Sequence, residues 1–113
     1  MALTAFTNQV LVSFTDDALH FTEEGRAPVS IPYREYPEVF GHPRFLMADL
    51  QQGAQLVNKA MRQLKGGRFP LLAPKFIVSI NRPLPGGITE IDRKSIREIL
   101  DMAGARKVEF KDA

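Results

Sequence analysis

The turn before residue 90 is a candidate ligand-binding site. Gly86 and Gly87 are followed by Thr89 and Asp92 at the start of a predicted helix. Backbone N–H groups at such a junction can hold a phosphate, because they have no partner inside the helix. The spacing is neither G-x-G-x-x-G nor a Walker loop. We therefore interpret the glycines as a turn with unusual backbone angles and Thr89 and Asp92 as a helix cap. Binding of a nucleotide or another phosphate ligand by these four residues is the alternative.

The other polar residues that could do chemistry form no known catalytic or metal-binding pattern. Asp16 and Asp17 could bind a divalent cation, but adjacent aspartates are also typical of a hairpin turn. His20 and His42 are the only histidines and the chain has no Cys, so the sequence offers little for a metal. No serine lies in a nucleophile motif such as G-x-S-x-G. We expect both histidines to be structural or exposed, and the sequence predicts no catalytic residue, no metal, no cofactor and no enzyme activity.

Basic residues on the two main predicted helices raise the question of nucleic-acid binding. The candidates are Lys59, Arg62, Lys65 and Arg68 on the first helix and Arg93, Lys94 and Arg97 on the second. The formal net charge is only +2, and neither helix offers an exposed aromatic side chain for base stacking. The sequence therefore argues against nucleic acid as a partner, and weak binding through the basic helix faces is kept as a second alternative.

Charge is unevenly distributed along the chain. Residues 1–43 carry a net charge of −4 and residues 44–113 carry +6. Such an asymmetry fits an anionic partner or self-association, and it also fits two halves that fold against each other. Charge alone does not choose between these interpretations.

The totals predict one domain spanning residues 1–113. The chain has 113 residues, of which 44% are apolar, and this suits a single core. It contains no apolar run near the ~20 residues that a membrane span needs, and its first residues lack the layout of a secretory signal. We therefore expect a cytoplasmic protein without a membrane partner.

The first half of the chain predicts a hairpin, a loop and a helix. Residues 9–21 alternate as two short strands around a turn. Residues 26–43 contain four prolines, so we expect a loop with at most a short edge strand near residues 29–31. Asp49 predicts the start of a helix over residues 50–64, and Gly66-Gly67 its end.

The second half predicts a βαβ unit. A strand over residues 75–80 is followed by the glycine turn, a helix that ends at Gly104, and a strand over residues 107–110. Two parallel strands joined by a helix imply a sheet with at least one covered face. The whole chain thus predicts an α/β fold, ββ(β)αβαβ, with a mixed sheet and two main helices.

The segment PKFIVSINRPLPGGITEIDRKSIREILDMAGARKVEF (residues 74–110) resembles the MreB family of bacterial actin-like proteins. The resemblance lies in the G-x-T helix start at Gly87 and Thr89, the I-R-E step at residues 96–98 and the A-G-A-R strand entry at residues 103–106. Residues 45–64 are similar to the stretch that leads into the first long MreB helix. Residues 10–21, VLVSFTDDALHF, look like a degenerate version of the first MreB hairpin. The pattern is also similar to small enterobacterial YjaA-like proteins. The resemblance implies half of an actin-like (RNase H-like) domain, whose sheet runs from the hairpin through a central first strand to two parallel strands.

The same resemblance implies that the nucleotide machinery is missing. Ser13 stands where the family has an acidic residue, and the turn at residues 15–17 has no glycine. Asp92 stands where the family has a glutamate that positions water, and the second lobe would lie beyond residue 113. A half-domain must cover its bare side or use it to recruit a partner or a second copy. We therefore expect a non-catalytic protein–protein interaction module, with segment 26–43 and its aromatics Tyr33, Tyr36 and Phe40 as the candidate cover or interface.

Overall fold

A five-stranded mixed sheet forms the centre of the molecule in the computed structural model, which describes residues 8–66 and 73–111. The strand order is β3-β2-β1-β4-β5. Strands β1 and β2 pair antiparallel, as do β2 and β3, whereas β4 is parallel to both β1 and β5. The elements are β1 (Gln9–Phe14), β2 (Ala18–Thr22), β3 (Val29–Pro32), α1 (Pro37–Phe40), α2 (Leu50–Leu64), β4 (Lys75–Ile80), α3 (Glu90–Met102) and β5 (Lys107–Phe110). The predicted α/β fold class is confirmed, including the optional third strand.

Among the described residues, one face of the sheet packs into the core and the other does not. Val10, Val12 and Phe14 of β1 are fully buried, whereas the intervening Leu11 is exposed and Ser13 half-buried. Strand β4 repeats the pattern with its own buried and half-buried positions. Successive side chains of a strand point to opposite faces, so this alternation marks a covered face and an open face.

The two long helices supply the cover for the buried face. In α2 the buried side chains recur at helical spacing from Ala54 to Leu64, and in α3 they include Ile96, Ile99 and Leu100. All of them belong to one core cluster with the buried strand residues. Leu50 and Ile91, at the starts of these helices, are 38% and 63% exposed and lie off the buried stripes.

Local signals begin and end these helices as the sequence predicts. The Oδ1 of Asp49 accepts a hydrogen bond from the Gln52 N–H at 2.9 Å, which caps α2. Gly66 has a φ of +69° just past the end of α2, a conformation that glycine adopts without steric cost. A β-carbon on Gly53 would come within 3.1 Å of both Ile99 and Met47, so this glycine lets the two long helices approach closely.

Segment 26–43 contributes more regular structure than its prolines suggest. It contains β3 at the sheet edge, a short 3-10 turn over residues 33–35, and α1, which has Pro37 in its first turn. A single-turn helix has no detectable periodicity, which is why the sequence does not reveal α1. The run at residues 44–48 forms no strand, and its Ala48 N–H donates to the Val39 carbonyl at 2.7 Å.

Candidate functional site

The Gly86–Asp92 turn uses its own donors internally. The Gly87 N–H donates to the Leu84 carbonyl at 2.9 Å. The N–H and the hydroxyl of Thr89 both donate to Oδ2 of Asp92, at 2.9 and 3.0 Å. Gly86 and Gly87 have φ values of +82° and +78°, which fits the predicted need for glycine in the turn. The structure therefore forms the predicted helix cap, and the N–H groups of Gly87 and Thr89 have acceptors within this chain.

Asp92 itself is buried at the start of α3. Its residue surface is 3% exposed, and its Oδ1 has no hydrogen-bond partner among the described residues. A buried carboxylate repels a phosphate placed beside it, because like charges interact strongly away from water. The geometry at these four residues thus suits a cap better than a phosphate site.

The aromatic residues of segment 26–43 face mostly inward. Phe40 is fully buried, Tyr33 is 7% exposed, and Tyr36 packs half-buried against the core. The Tyr33 hydroxyl donates to the Thr15 carbonyl at 2.7 Å, and burial raises the pKa of this phenol above its usual range. Of the three aromatics predicted as a cover or interface, only Tyr36 is therefore not buried.

A cavity of about 550 Å³ opens beside Tyr33, between the β1–β2 turn and the end of β4. The Arg82 guanidinium lies 4.3 Å from the Tyr33 ring centre and donates from Nη2 to the Phe40 carbonyl at 3.1 Å. Its Nη1 is buried without a hydrogen-bond partner among the described residues. Asp16, Asp17 and Arg34 also line the cavity. The aspartates occupy the hairpin turn, as predicted, in a site that carries charges of both signs.

The predicted basic edge of α2 is wrong at Lys65. This side chain is 8% exposed, and its Nζ lies 2.8 Å from each carboxylate oxygen of Glu23. It also donates to Oδ1 of Asn8. Arg68 lies outside the described residues. The basic residues of α2 therefore do not form one continuous cationic surface, because Lys65 serves as a buried cross-link.

The open face of the sheet has no covering element in the described part of the chain. Leu11 and Ile77 lie opposite each other in the β1–β4 register, with Leu11 43% exposed and Ile77 half-buried. Lys75 lies 3.4 Å from Glu109 on the neighbouring strand, and Lys107 lies 3.2 Å from the same carboxylate. The hydrogen bond with Lys107 and the charge of Lys75 lower the pKa of Glu109. The face thus has a small apolar centre and a charged end.

A polar row crosses this face next to the apolar centre. His20 lies between Ser13 of β1 and Ser30 of β3 in the sheet register, and Ser79 follows on β4. The His20 Nδ1 lies 2.7 Å from Ser30 Oγ, and its Nε2 lies 3.1 Å from Thr15 Oγ1. Sequence reasoning missed this contact, because residues 20 and 30 meet only through the pairing of two strands.

Both edges of the sheet are poorly suited to pairing with another strand. The β3 edge has four residues, is preceded by Pro28 and ends at Pro32. The β5 edge also has four residues and carries Lys107 and Glu109. Short strands, prolines and charges are the usual protections of sheet edges. The open face therefore remains the better surface for a partner.

Comparisons with protein-family models, with curated proteins and with solved structures found no match to this chain. Within residues 8–66 and 73–111, no helix is long and apolar enough to cross a membrane. The same described residues contain no group of three or more His, Asp or Glu side chains placed to hold a metal ion.

Proposed function

We propose that the protein is an interaction module that binds one amphipathic helix of a partner protein on the open face of its sheet. The observation that carries this proposal is the one-sided sheet, with Leu11 and Ile77 adjacent and accessible at its centre. Sheets are usually stabilised by burying their apolar surface against another layer. A helix is the layer that this chain already uses on the opposite face.

The size of the face favours a single helix. Five strands spaced ~4.8 Å apart make a face about 19 Å wide, and a six-residue strand is about 20 Å long. An α-helix is ~10–12 Å in diameter and covers 20 Å with about 13 residues. A second sheet would need a broad apolar face, whereas here the apolar centre is two side chains wide. Because the contact area is small, we expect transient binding.

The charges on the open face indicate which side chains the partner helix carries and in which direction it runs. Lys75 and Lys107 share one carboxylate, that of Glu109, so this end of the face has a surplus positive charge. Lys75 and Ile77 lie on the same strand. A helix that runs along β1 and β4 can place apolar side chains on Leu11 and Ile77 and a carboxylate near Lys75. The same surplus positive charge disfavours face-to-face stacking of two copies in the same direction, because their two positive ends would then lie together.

Site-specific photo-crosslinking in cells tests the proposal. A benzophenone amino acid replaces Leu11 in one variant and Ile91 in the control, because Ile91 is an equally apolar residue, 63% exposed, on α3. We expect crosslinks from position 11 that map to an amphipathic helical segment of another protein, and few from position 91. Crosslinks to a second copy, or equal crosslinking from both positions, would contradict the proposal.

The resemblance to actin-like domains stays a prediction that the strand order supports. The sheet runs from the β2–β3 side through a central β1 to the parallel β4 and β5, which is the arrangement that the resemblance implies. Phosphate binding at residues 86–92 also stays a prediction. A titration with ATP and Mg²⁺, followed by the amide shifts of Gly86, Gly87 and Thr89, tests it. Our proposal expects no shift, because the N–H groups of Gly87 and Thr89 already donate within the turn.

A further inference from the structure

We propose that Ser30 and His20 form a nucleophile–base pair that takes acyl groups from small activated esters. This inference goes beyond the interaction role, and it departs from the prediction that the chain is not an enzyme. The pair lies on the open face, with Ser30 exposed and His20 half-buried. Their 2.7 Å contact is the distance expected between a catalytic hydroxyl and its base.

Thr15 contacts the ring nitrogen of His20 that does not face Ser30. The Thr15 hydroxyl donates to the Ala18 carbonyl at 3.0 Å, and its other acceptor in reach is an Asp17 carboxylate oxygen at 3.4 Å. His20 Nε2 lies 3.1 Å from Thr15 Oγ1. The proposed reaction requires the tautomer in which Nε2 carries the hydrogen of the neutral ring and donates it to Thr15 Oγ1, while the Thr15 hydroxyl donates to the Ala18 carbonyl. In that tautomer the lone pair of Nδ1 is directed at the Ser30 hydroxyl.

Strand register brings the two side chains together. The Tyr33 N–H donates to the Asp17 carbonyl at 3.0 Å, which marks these residues as a hydrogen-bonded position of the β2–β3 ladder. Such positions alternate along an antiparallel pair, so His20 and Ser30 form a non-hydrogen-bonded pair. Side chains approach most closely in pairs of this kind. The close contact is thus a property of the sheet and not of one flexible loop.

The same alternation leaves a backbone donor beside the hydroxyl. The Ser30 N–H points away from β2, toward the free edge of the sheet, because β3 is the outermost strand. Pro28 and Pro32, at the other outward positions, have no N–H. In serine hydrolases the N–H of the nucleophile itself helps to stabilise the oxyanion. The site therefore combines the Ser30 hydroxyl, the His20 ring as base and one backbone N–H at the free edge of the sheet.

The proposed reaction consists of two acyl transfers. Ser30 Oγ attacks the ester carbonyl carbon while its proton moves to His20 Nδ1, and the alcohol leaves with that proton as the C–O bond breaks. Water then attacks the acyl-Ser30 carbonyl, again losing a proton to Nδ1, and the proton returns to Ser30 Oγ as the acid departs. The site is open to water, so we expect activated esters to react and amides not to react.

Labelling with a fluorophosphonate probe and peptide mapping test the pair. We expect modification at Ser30, its loss in Ser30→Ala, and a fall of about 10²-fold in rate in His20→Gln, the low end for a general base. Ser79→Ala is the matched control, because Ser79 is half-buried on the same face and accepts a hydrogen bond from Asn81, at 3.1 Å, instead of facing a base. It should leave the labelling rate unchanged.

Thr15 acts as a positioning residue and needs its own variants. We expect Thr15→Val to lower the labelling rate and Thr15→Ser to restore it, because serine keeps the hydroxyl oxygen that contacts Nε2. Hydrolysis of p-nitrophenyl acetate, with the acyl adduct located by mass spectrometry, provides a second measurement. An adduct on His20, equal labelling of Ser30 and Ser79, or undiminished labelling of a folded His20→Gln protein would overturn the proposal.

Discussion

Replacing Lys65 with Met should strongly destabilise the protein, although lysine is normally a surface residue. Its Nζ lies 2.8 Å from both Glu23 oxygens, and the two side chains are only 8% and 13% exposed. Methionine has a similar shape but leaves the Glu23 carboxylate without its main counter-charge. Removal of one member of a buried ion pair typically costs ~3–5 kcal/mol.

The neighbouring Arg26 should reduce this cost. Its Nε lies 3.3 Å from Oε1 of Glu23, but its side chain is 43% exposed and it is a weaker partner than Lys65. We therefore expect Lys65→Met to lower the free energy of unfolding by about 2–3 kcal/mol. For a domain of this size, that corresponds to a fall in Tm of roughly 10–20 °C.

Urea unfolding followed by circular dichroism measures the effect. Lys59→Met is the matched control, because Lys59 is exposed on the same helix, and it should change stability by less than about 0.5 kcal/mol. Adding Glu23→Gln to Lys65→Met should recover part of the loss, since the uncompensated charge is gone. Equal stabilities of the Lys65 and Lys59 variants would refute the assignment of Lys65 as a buried cross-link.

Three further predictions concern caps, turns and pH. Thr89→Ala should lower the free energy of unfolding by about 1 kcal/mol, because Thr89 accepts from the Asp92 N–H; Thr89→Ser should not, and chemical denaturation compares the two. Gly86→Ala should cost about 1 kcal/mol at a φ of +82°, and Gly86→Asn less; equal losses in thermal melts would contradict this. Burial raises the pKa of Tyr33 in the folded state, so stability should fall as pH rises above about 10, where the unfolded tyrosine ionises. Tyr33→Phe should flatten that fall in urea midpoints measured against pH.

Local patterns in the sequence predict the helices and strands well. The features that the sequence does not predict depend on contacts between residues far apart in the chain. Asp49 and Thr89 cap helices through residues three positions away, so a short stretch contains the whole signal. In the sequence, nothing distinguishes Lys65 from an ordinary basic residue at a helix end, because Glu23, its partner, is 42 positions away. The Ser30–His20 contact depends on the register of a four-residue edge strand. Such a short strand between prolines carries no pattern from which its register can be predicted.

The proposed helix-binding surface and the proposed Ser30–His20 site lie side by side on the same face of the sheet, and variants can test them separately. A helix that runs along β1 and β4, over Leu11 and Ile77, covers about 5–6 Å on either side of its axis. Ser30 lies two strands from β1, at ~10 Å, and so outside that cover. We expect Leu11→Asp to abolish helix binding without slowing the labelling of Ser30, and Ser30→Ala to leave helix binding unchanged. Protection of Ser30 by the bound partner would show that the helix crosses the strands instead of following them, and the direction inferred from Lys75 would then be wrong.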